Sequence, residues 1–250
     1  MRIITISLVP YRKALKVAFC IFFCLCALGI TVGAVRGVID YTTYENASSD
    51  SITGRVIIID AGHGGEDAGA VARDGTLEKD LNLSIALELG KQLSEKGYTV
   101  VYTRTSDKML YSAEENIKGM RKLSDLKGRL KVAEDYQDSL FISIHVNSYG
   151  AEKCSGMQVY YTDGNEESRS LASYIQSNTK DRLQQENNRK IKSGKHIFLL
   201  ENSSVNTVLV ECGFITNESE CKKLSEKEYQ KQLCFAIVCG IIEYEESIVQ

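Results

Sequence analysis

Val56-Ile57-Ile58-Ile59-Asp60-Ala61-Gly62-His63-Gly64-Gly65 reads as a buried strand that runs directly into a glycine-flanked histidine. An apolar β-branched run bounded by glycine fits a strand covered on both faces. Gly62, Gly64 and Gly65 allow a tight backbone turn, so the His63 imidazole can face a cavity and not the core. After the turn the spacing predicts a helix over 78–96, with Leu81, Ile85, Leu89 and Leu93 on one stripe, and a strand over 98–104. A second helix is expected over 119–137, with Leu123, Leu126, Leu130 and Ala133 at helical spacing, and then the strand Leu140-Phe141-Ile142-Ser143-Ile144 ending at His145. This β-α-β-α-β order implies an α/β fold: a single domain with a mostly parallel, twisted sheet of about six strands flanked by helices. The later segments supply a strand over 157–161, a helix over 165–186, a short strand near 197–200, a strand over 206–211 and a closing helix over 225–244.

Ahead of this domain, Arg2, Arg12, Lys13 and Lys16 precede an uncharged run from Val17 to Val35 that ends at Arg36. As a helix that run would span about 28 Å, close to the hydrocarbon thickness of a bilayer. The basic residues come first, which predicts a domain outside the cytoplasm. The expected organisation is a signal anchor over 1–36 with its span at 17–35, a polar linker over 37–54 and a folded domain over 55–246. A cleaved signal peptide, with Val32-Gly33-Ala34 near the cleavage point, is the rival reading. Past Arg36 the chain holds 25 basic and 33 acidic side chains, which argues against nucleic acid or an anionic surface as a partner held by charge. Cys154, Cys212, Cys221, Cys234 and Cys239 are odd in number and contain no Cys-x-x-Cys pair, so neither a disulfide scaffold nor a thiolate metal site is signalled.

In an open α/β sheet the functional crevice lies beyond the carboxyl ends of the strands. His63, His145 and Glu211 follow or close predicted strands at that edge, and Glu78 begins the first helix. Two histidines and one carboxylate are a ligand set typical of a catalytic zinc ion that keeps a fourth position for water. Glu211 closes the run Asn206-Thr207-Val208-Leu209-Val210, where a buried carboxylate is costly without a partner or a task. Beside an activated water it would have a task, accepting a proton and then passing it to a leaving amine. Taken singly, a histidine after a strand is more often a hydrogen-bonded structural group than a ligand, and Glu78 more often a helix-start charge; the convergence of four elements on one edge shifts the reading to the site.

The segments Ile59-Asp60-Ala61-Gly62-His63-Gly64-Gly65, Glu78-Lys79-Asp80-Leu81-Asn82-Leu83, Ser143-Ile144-His145-Val146-Asn147 and Val210-Glu211-Cys212-Gly213-Phe214-Ile215-Thr216-Asn217 together resemble the zinc-dependent N-acetylmuramoyl-L-alanine amidases of the type 3 class. Thr103-Arg104-Thr105-Ser106-Asp107 and Asp125-Leu126-Lys127-Gly128-Arg129 fit as well, so the resemblance covers about 55–245. It implies that His63, Glu78 and His145 bind one Zn2+ ion and that Glu211 is the catalytic glutamate. The implied substrate is bacterial peptidoglycan, cut at the amide between the lactyl group of N-acetylmuramic acid and L-alanine. Asn147 is a candidate to orient a ligand or the substrate, and Arg104 and Arg129 to meet substrate carboxylates, against surface or structural pairing for each arginine.

The single N-terminal anchor and the lack of basic wall-binding repeats make the chain similar to the sporulation branch, which acts on spore-cortex peptidoglycan for muramic-δ-lactam formation. That would place the domain between the forespore membranes. Many relatives guard the site with an autoinhibitory helix inserted between the His145 and Glu211 strands; here the expected strands and single helix largely fill that interval, so control would fall to an accessory protein. Another zinc hydrolase of the wall, a peptidase or deacetylase, and a non-catalytic wall-binding protein are the competing readings. His196 is expected at a loop-to-strand junction, with substrate-side and structural roles both open.

Overall fold

A computed structural model describes residues 55–111, 120–150 and 153–249. The expected membrane span at 17–35 and the linker lie outside the described residues, and among those described no helix is long and apolar enough to cross a membrane.

Strand β1 (Val56–Ala61) leads through a 16-residue loop into helix α1 (Glu78–Glu95), followed by β2 (Thr99–Tyr102), α2 (Arg121–Glu134) and β3 (Leu140–Asn147). The chain continues as β4 (Gln158–Tyr161), α3 (Glu166–Arg182), β5 (Lys192–Ser193), α4 (Phe198–Asn202), β6 (Asn206–Phe214), α5 (Glu218–Ser225) and α6 (Lys227–Val249). The six strands form one sheet in the order β2-β1-β3-β6-β4-β5. All neighbours run parallel except β4, which is antiparallel to β6.

The chain steps from β1 to β2 in one direction and back over β1 to β3 in the other. Right-handed crossovers therefore place α1 and α2 on opposite faces. Helix α6 packs against α1 and α3 on one face, and α4 packs against α2 on the other. Ile58 and Phe141 meet Ala133 and Val205 on the α2 side. Ile57 and Ile59, which alternate with Ile58 along the strand, are also fully buried, as a strand covered on both faces requires.

Two features depart from the sequence reading. The expected strand near 197–200 is the short helix α4, and the sixth strand is Lys192–Ser193. Ile197-Phe198-Leu199-Leu200 is apolar but too short for its period to separate strand from helix, and Leu199 and Leu200 are buried in the helical form. Helix α5 was also not expected; Asn217 caps it by accepting from the backbone N–H groups of Ser219 and Glu220. Cys212, Cys221 and Cys234 are buried free thiols, Cys154 is a half-buried one, and Cys239 is buried in α6.

Helix α6 is buried around most of its middle, with Leu233, Ala236, Ile237 and Ile241 fully enclosed. At Gly240 it approaches α3 so closely that a Cβ would lie 2.6 Å from the Ile175 Cα and 2.8 Å from the Tyr174 carbonyl oxygen. Backbone cannot retreat as a flexible side chain can. Gly240→Val is expected to destabilise the domain by at least about 2 kcal/mol in urea denaturation; an unchanged midpoint would show that the two helices can separate at little cost.

Candidate metal centre and its catalytic edge

Because β1, β3 and β6 are parallel, their carboxyl ends share one edge, and there the sheet order reverses around β1. His63 follows β1, His145 lies within β3, and Glu211 stands directly opposite His145 on β6. Glu78 is the first residue of α1, where the helix dipole favours a carboxylate.

These elements bring three side chains to one point. Glu78 Oε1 lies 3.1 Å from His63 Nε2 and 3.1 Å from His145 Nδ1. The three ligand-type atoms fall within 4.8 Å of one another, a separation that could hold a metal ion. The imidazoles stand edge to face, with ring centroids 4.9 Å apart. Gly62 makes the approach possible, since a Cβ there would overlap the His145 ring. Glu78 is further fixed by Asn82 Nδ2 at 3.3 Å and the Val146 N–H at 3.3 Å on Oε1, and by the Ala70 N–H at 2.8 Å on Oε2. Burial works against its charge, but hydrogen bonds and charge from His145 and His63 outweigh it and hold its pKa far below the usual carboxylate range.

Behind His63, Asp67 Oδ2 accepts from Nδ1 at 2.9 Å, leaving Nε2 to face Glu78. This is the carboxylate–imidazole pairing that fixes the tautomer of a metal-binding histidine. His63 itself has φ 62°, a left-handed backbone that a β-carbon disfavours. Arg129 holds it there by donating from Nη2 to the His63 carbonyl at 2.6 Å.

Both expected substrate arginines need correction. Arg104 and Arg129 are 2% and 1% exposed, and neither faces the crevice. Arg104 donates to the carbonyls of Ala61, Gly62, Lys79 and Ser106. Arg129 donates to Asp60, Asp125 and the carbonyls of Ala61 and His63. They are the internal frame of the loop, because that loop exposes carbonyls inward and only an interior donor can satisfy them. Asn147 sits at the rim where the β3–β6 register shifts, its carbonyl accepting from the Ile215 N–H. His196 lies past the end of β5, at the opposite end of the sheet from Glu211, exposed and with φ 79°.

Glu211 differs from Glu78 in its surroundings. Its Oε2 is buried with no hydrogen-bond partner. Burial pushes its pKa up to about 7, opposed by the charge of His145 and reinforced by that of Glu78. A buried carboxyl with a strongly raised pKa beside a cluster of titratable groups marks a candidate for proton transfer.

The sequence profile described as N-acetylmuramoyl-L-alanine amidase matches residues 57–243. The chain belongs to that family. This makes the protein a cell-wall amidase. It is 36% identical over 210 residues to the germination-specific N-acetylmuramoyl-L-alanine amidase of Bacillus subtilis, covering 80% of this chain and 87% of that one. Among solved structures, the CwlD amidase from Clostridioides difficile in complex with the GerS lipoprotein superposes with a TM-score of 0.74 at 37% identity, covering 77% of this chain and 99% of that one. The amidase AmiC2 of Nostoc punctiforme matches with a TM-score of 0.67 at 30% identity, over 78% of this chain and 99% of that one.

Asp67 and Asn82 were not singled out from the amidase sequence. Asn82 had a signal, an amide one helical turn past Glu78, whereas Asp67 lies in the loop and had none in its spacing. Asp67→Asn is expected to weaken binding of a zinc ion about 10- to 100-fold, read by competition with a chromophoric chelator; equal affinity would mean that His63 needs no carboxylate behind it. The raised Glu211 pKa has a second consequence in chelator-treated protein. Between the unfolded value near 4.5 and about 7 the folded state binds the extra proton, so stability falls as pH rises through that window. Glu211→Gln is therefore expected to stabilise the metal-free domain by about 3 kcal/mol at pH 8 and negligibly at pH 4. A pH-independent difference in denaturation midpoint would contradict the burial of an uncompensated charge.

Proposed function

We propose that this amidase is zinc-dependent and hydrolyses the amide between the lactyl group of N-acetylmuramic acid and the L-alanine of the stem peptide. The observation that supports it is the meeting of His63 Nε2, His145 Nδ1 and Glu78 Oε1 around one point, with the unpartnered Glu211 on the neighbouring strand. Two neutral nitrogens and one carboxylate oxygen suit zinc in number, type and charge, and they leave a coordination position open. Zinc held there would polarise the scissile carbonyl and make a water acidic enough to attack at neutral pH.

The protein's own groups supply the remainder. Glu211 accepts the proton of the attacking water, since a carboxyl poised near neutrality can both take and return one. It then passes that proton to the nitrogen of L-alanine, which leaves as an amine. Asp67 holds the His63 tautomer, and Asn82 with the Val146 N–H holds the Glu78 carboxylate. Arg104 and Arg129 act through the backbone of the His63 loop and touch no substrate.

The similarity to a germination-specific amidase supports action on spore-cortex peptidoglycan outside the cytoplasm; the N-terminal anchor we propose rests on the uncharged run from Val17 to Val35 behind four basic residues. The C. difficile relative was solved in complex with a lipoprotein, which supports an accessory protein for this chain as well.

The test is mass spectrometry of muropeptides after incubation of the zinc-loaded protein with purified peptidoglycan. Peptide-free glycan and stem peptides beginning at L-alanine are expected. Glu211→Gln is expected to lower kcat by about 100-fold or more while zinc remains bound. Released acetate, or cleavage inside the peptide, would assign a different hydrolysis.

A further inference from the structure

Beyond the carboxyl end of β6, at the same edge of the sheet as Glu211 though not lined by it, lies a cavity of about 760 Å³. Its walls are the segments on either side of the reversed strand. Residues 153–156 lead into β4, whose first residue, Gln158, is in register with Glu211; 183–189 link α3 to β5; and Asn217, Glu220 and Lys223 follow β6. In the strand order β4 and β5 lie on the side of β6 away from β1 and β3, so the segments that lead into them place the cavity on the far side of Glu211 from His63 and Glu78.

The cavity is polar and built. Asn187, nearly buried, donates to the Met157 carbonyl, and Gln184 accepts from the Met157 N–H. Glu220 uses both carboxylate oxygens on the N–H groups of Gly156 and Phe214. Arg189 is the best-fixed cation in the cavity. Its guanidinium lies 4.5 Å over the Phe214 ring, and Nε donates to the Ser155 carbonyl at 2.7 Å. Among the described residues no protein acceptor meets its two terminal nitrogens, which leaves a planar, oriented, two-pronged donor of the kind that pairs with a carboxylate.

Glu211 must reach the departing nitrogen, so the peptide leaves on the β6 side of the site, toward β4 and β5, where this cavity lies. We propose that the cavity receives the stem peptide and that Arg189 pairs with one of its carboxylates, a specificity-determining contact. This rests on the amidase reading and adds to it which half of the substrate is read and by what charge.

The experiment measures binding separately from cleavage. The full chain carrying Glu211→Gln, loaded with zinc, is titrated calorimetrically with a muramyl tripeptide whose carboxylates are free and with the same compound fully amidated. The free acid is expected to bind about tenfold more tightly. Adding Arg189→Gln, or Arg189→Met, which retains bulk over Phe214, is expected to remove that preference and leave the affinity for the amidated compound within twofold. Loss of affinity for both compounds alike would reduce Arg189 to a packing role and overturn the proposal, as would a preference that survives both substitutions. Cleavage is assayed in parallel with Glu211 intact. Failure to cleave a peptide that is bound through Arg189 would sink the amidase reading and leave the carboxylate site standing.

Discussion

The left-handed backbone at His63 is the constraint on which the site depends. A residue with a β-carbon is held there against a penalty of roughly 1–2 kcal/mol. The charged hydrogen bond from Arg129 to the His63 carbonyl, of about 1.5–3 kcal/mol, is large enough to offset it. Arg129 in turn can stay in the interior only because Asp60 and Asp125 share its charge. Asp60 is itself fully buried; burial disfavours its ionised form, but Arg129 and the hydroxyls of Ser143 and Thr103 outweigh that and hold its pKa down. Breaking this ion pair would leave a bare charge in the core, a loss of about 3–5 kcal/mol, so loop geometry and domain stability are tied together.

Two carboxylates a few ångströms apart in the fold are tuned in opposite directions by different neighbours. Glu78 has both imidazoles, an amide and two backbone N–H groups around it and stays ionised. Glu211 rises from the middle of an apolar strand, has an oxygen with no donor and shifts toward neutrality. The division comes from position in the fold: the Glu78 carboxylate meets donors from the loop before α1, from Asn82 one turn on and from Val146 in β3, whereas no donor reaches Glu211 Oε2.

The meeting of His63, Glu78, His145 and Glu211 at one edge was legible in the sequence because each interrupts an apolar run at the same end of a strand or opens a helix, and strand polarity in a βαβ chain fixes which ends meet. The parallel core was legible for the same reason. Arg104 and Arg129 were not, since a charged residue just past a strand or on a helix gives no sign of whether it turns inward; only the carbonyls left open by the His63 turn decide it. The α4 segment was misread because four apolar residues carry no usable period, and its helical form depends on Leu199 and Leu200 finding cover beneath α2. Asp67 escaped notice because loop geometry, not spacing, brings it onto His63.

The reversal of β4 separates the domain into two inheritances. The turn after β1 and the end of β3 carry His63 and His145, which meet Glu78; His63 is tied to the buried Asp60–Arg129 frame and His145 to the α1 start. The loops around β4 and β5 reach the same edge from the antiparallel side and share none of those ties. Substitutions, insertions and altered charge can therefore accumulate in that half without disturbing the reaction centre, so one catalytic engine can be refitted to different wall chemistries by changing only its outer strands.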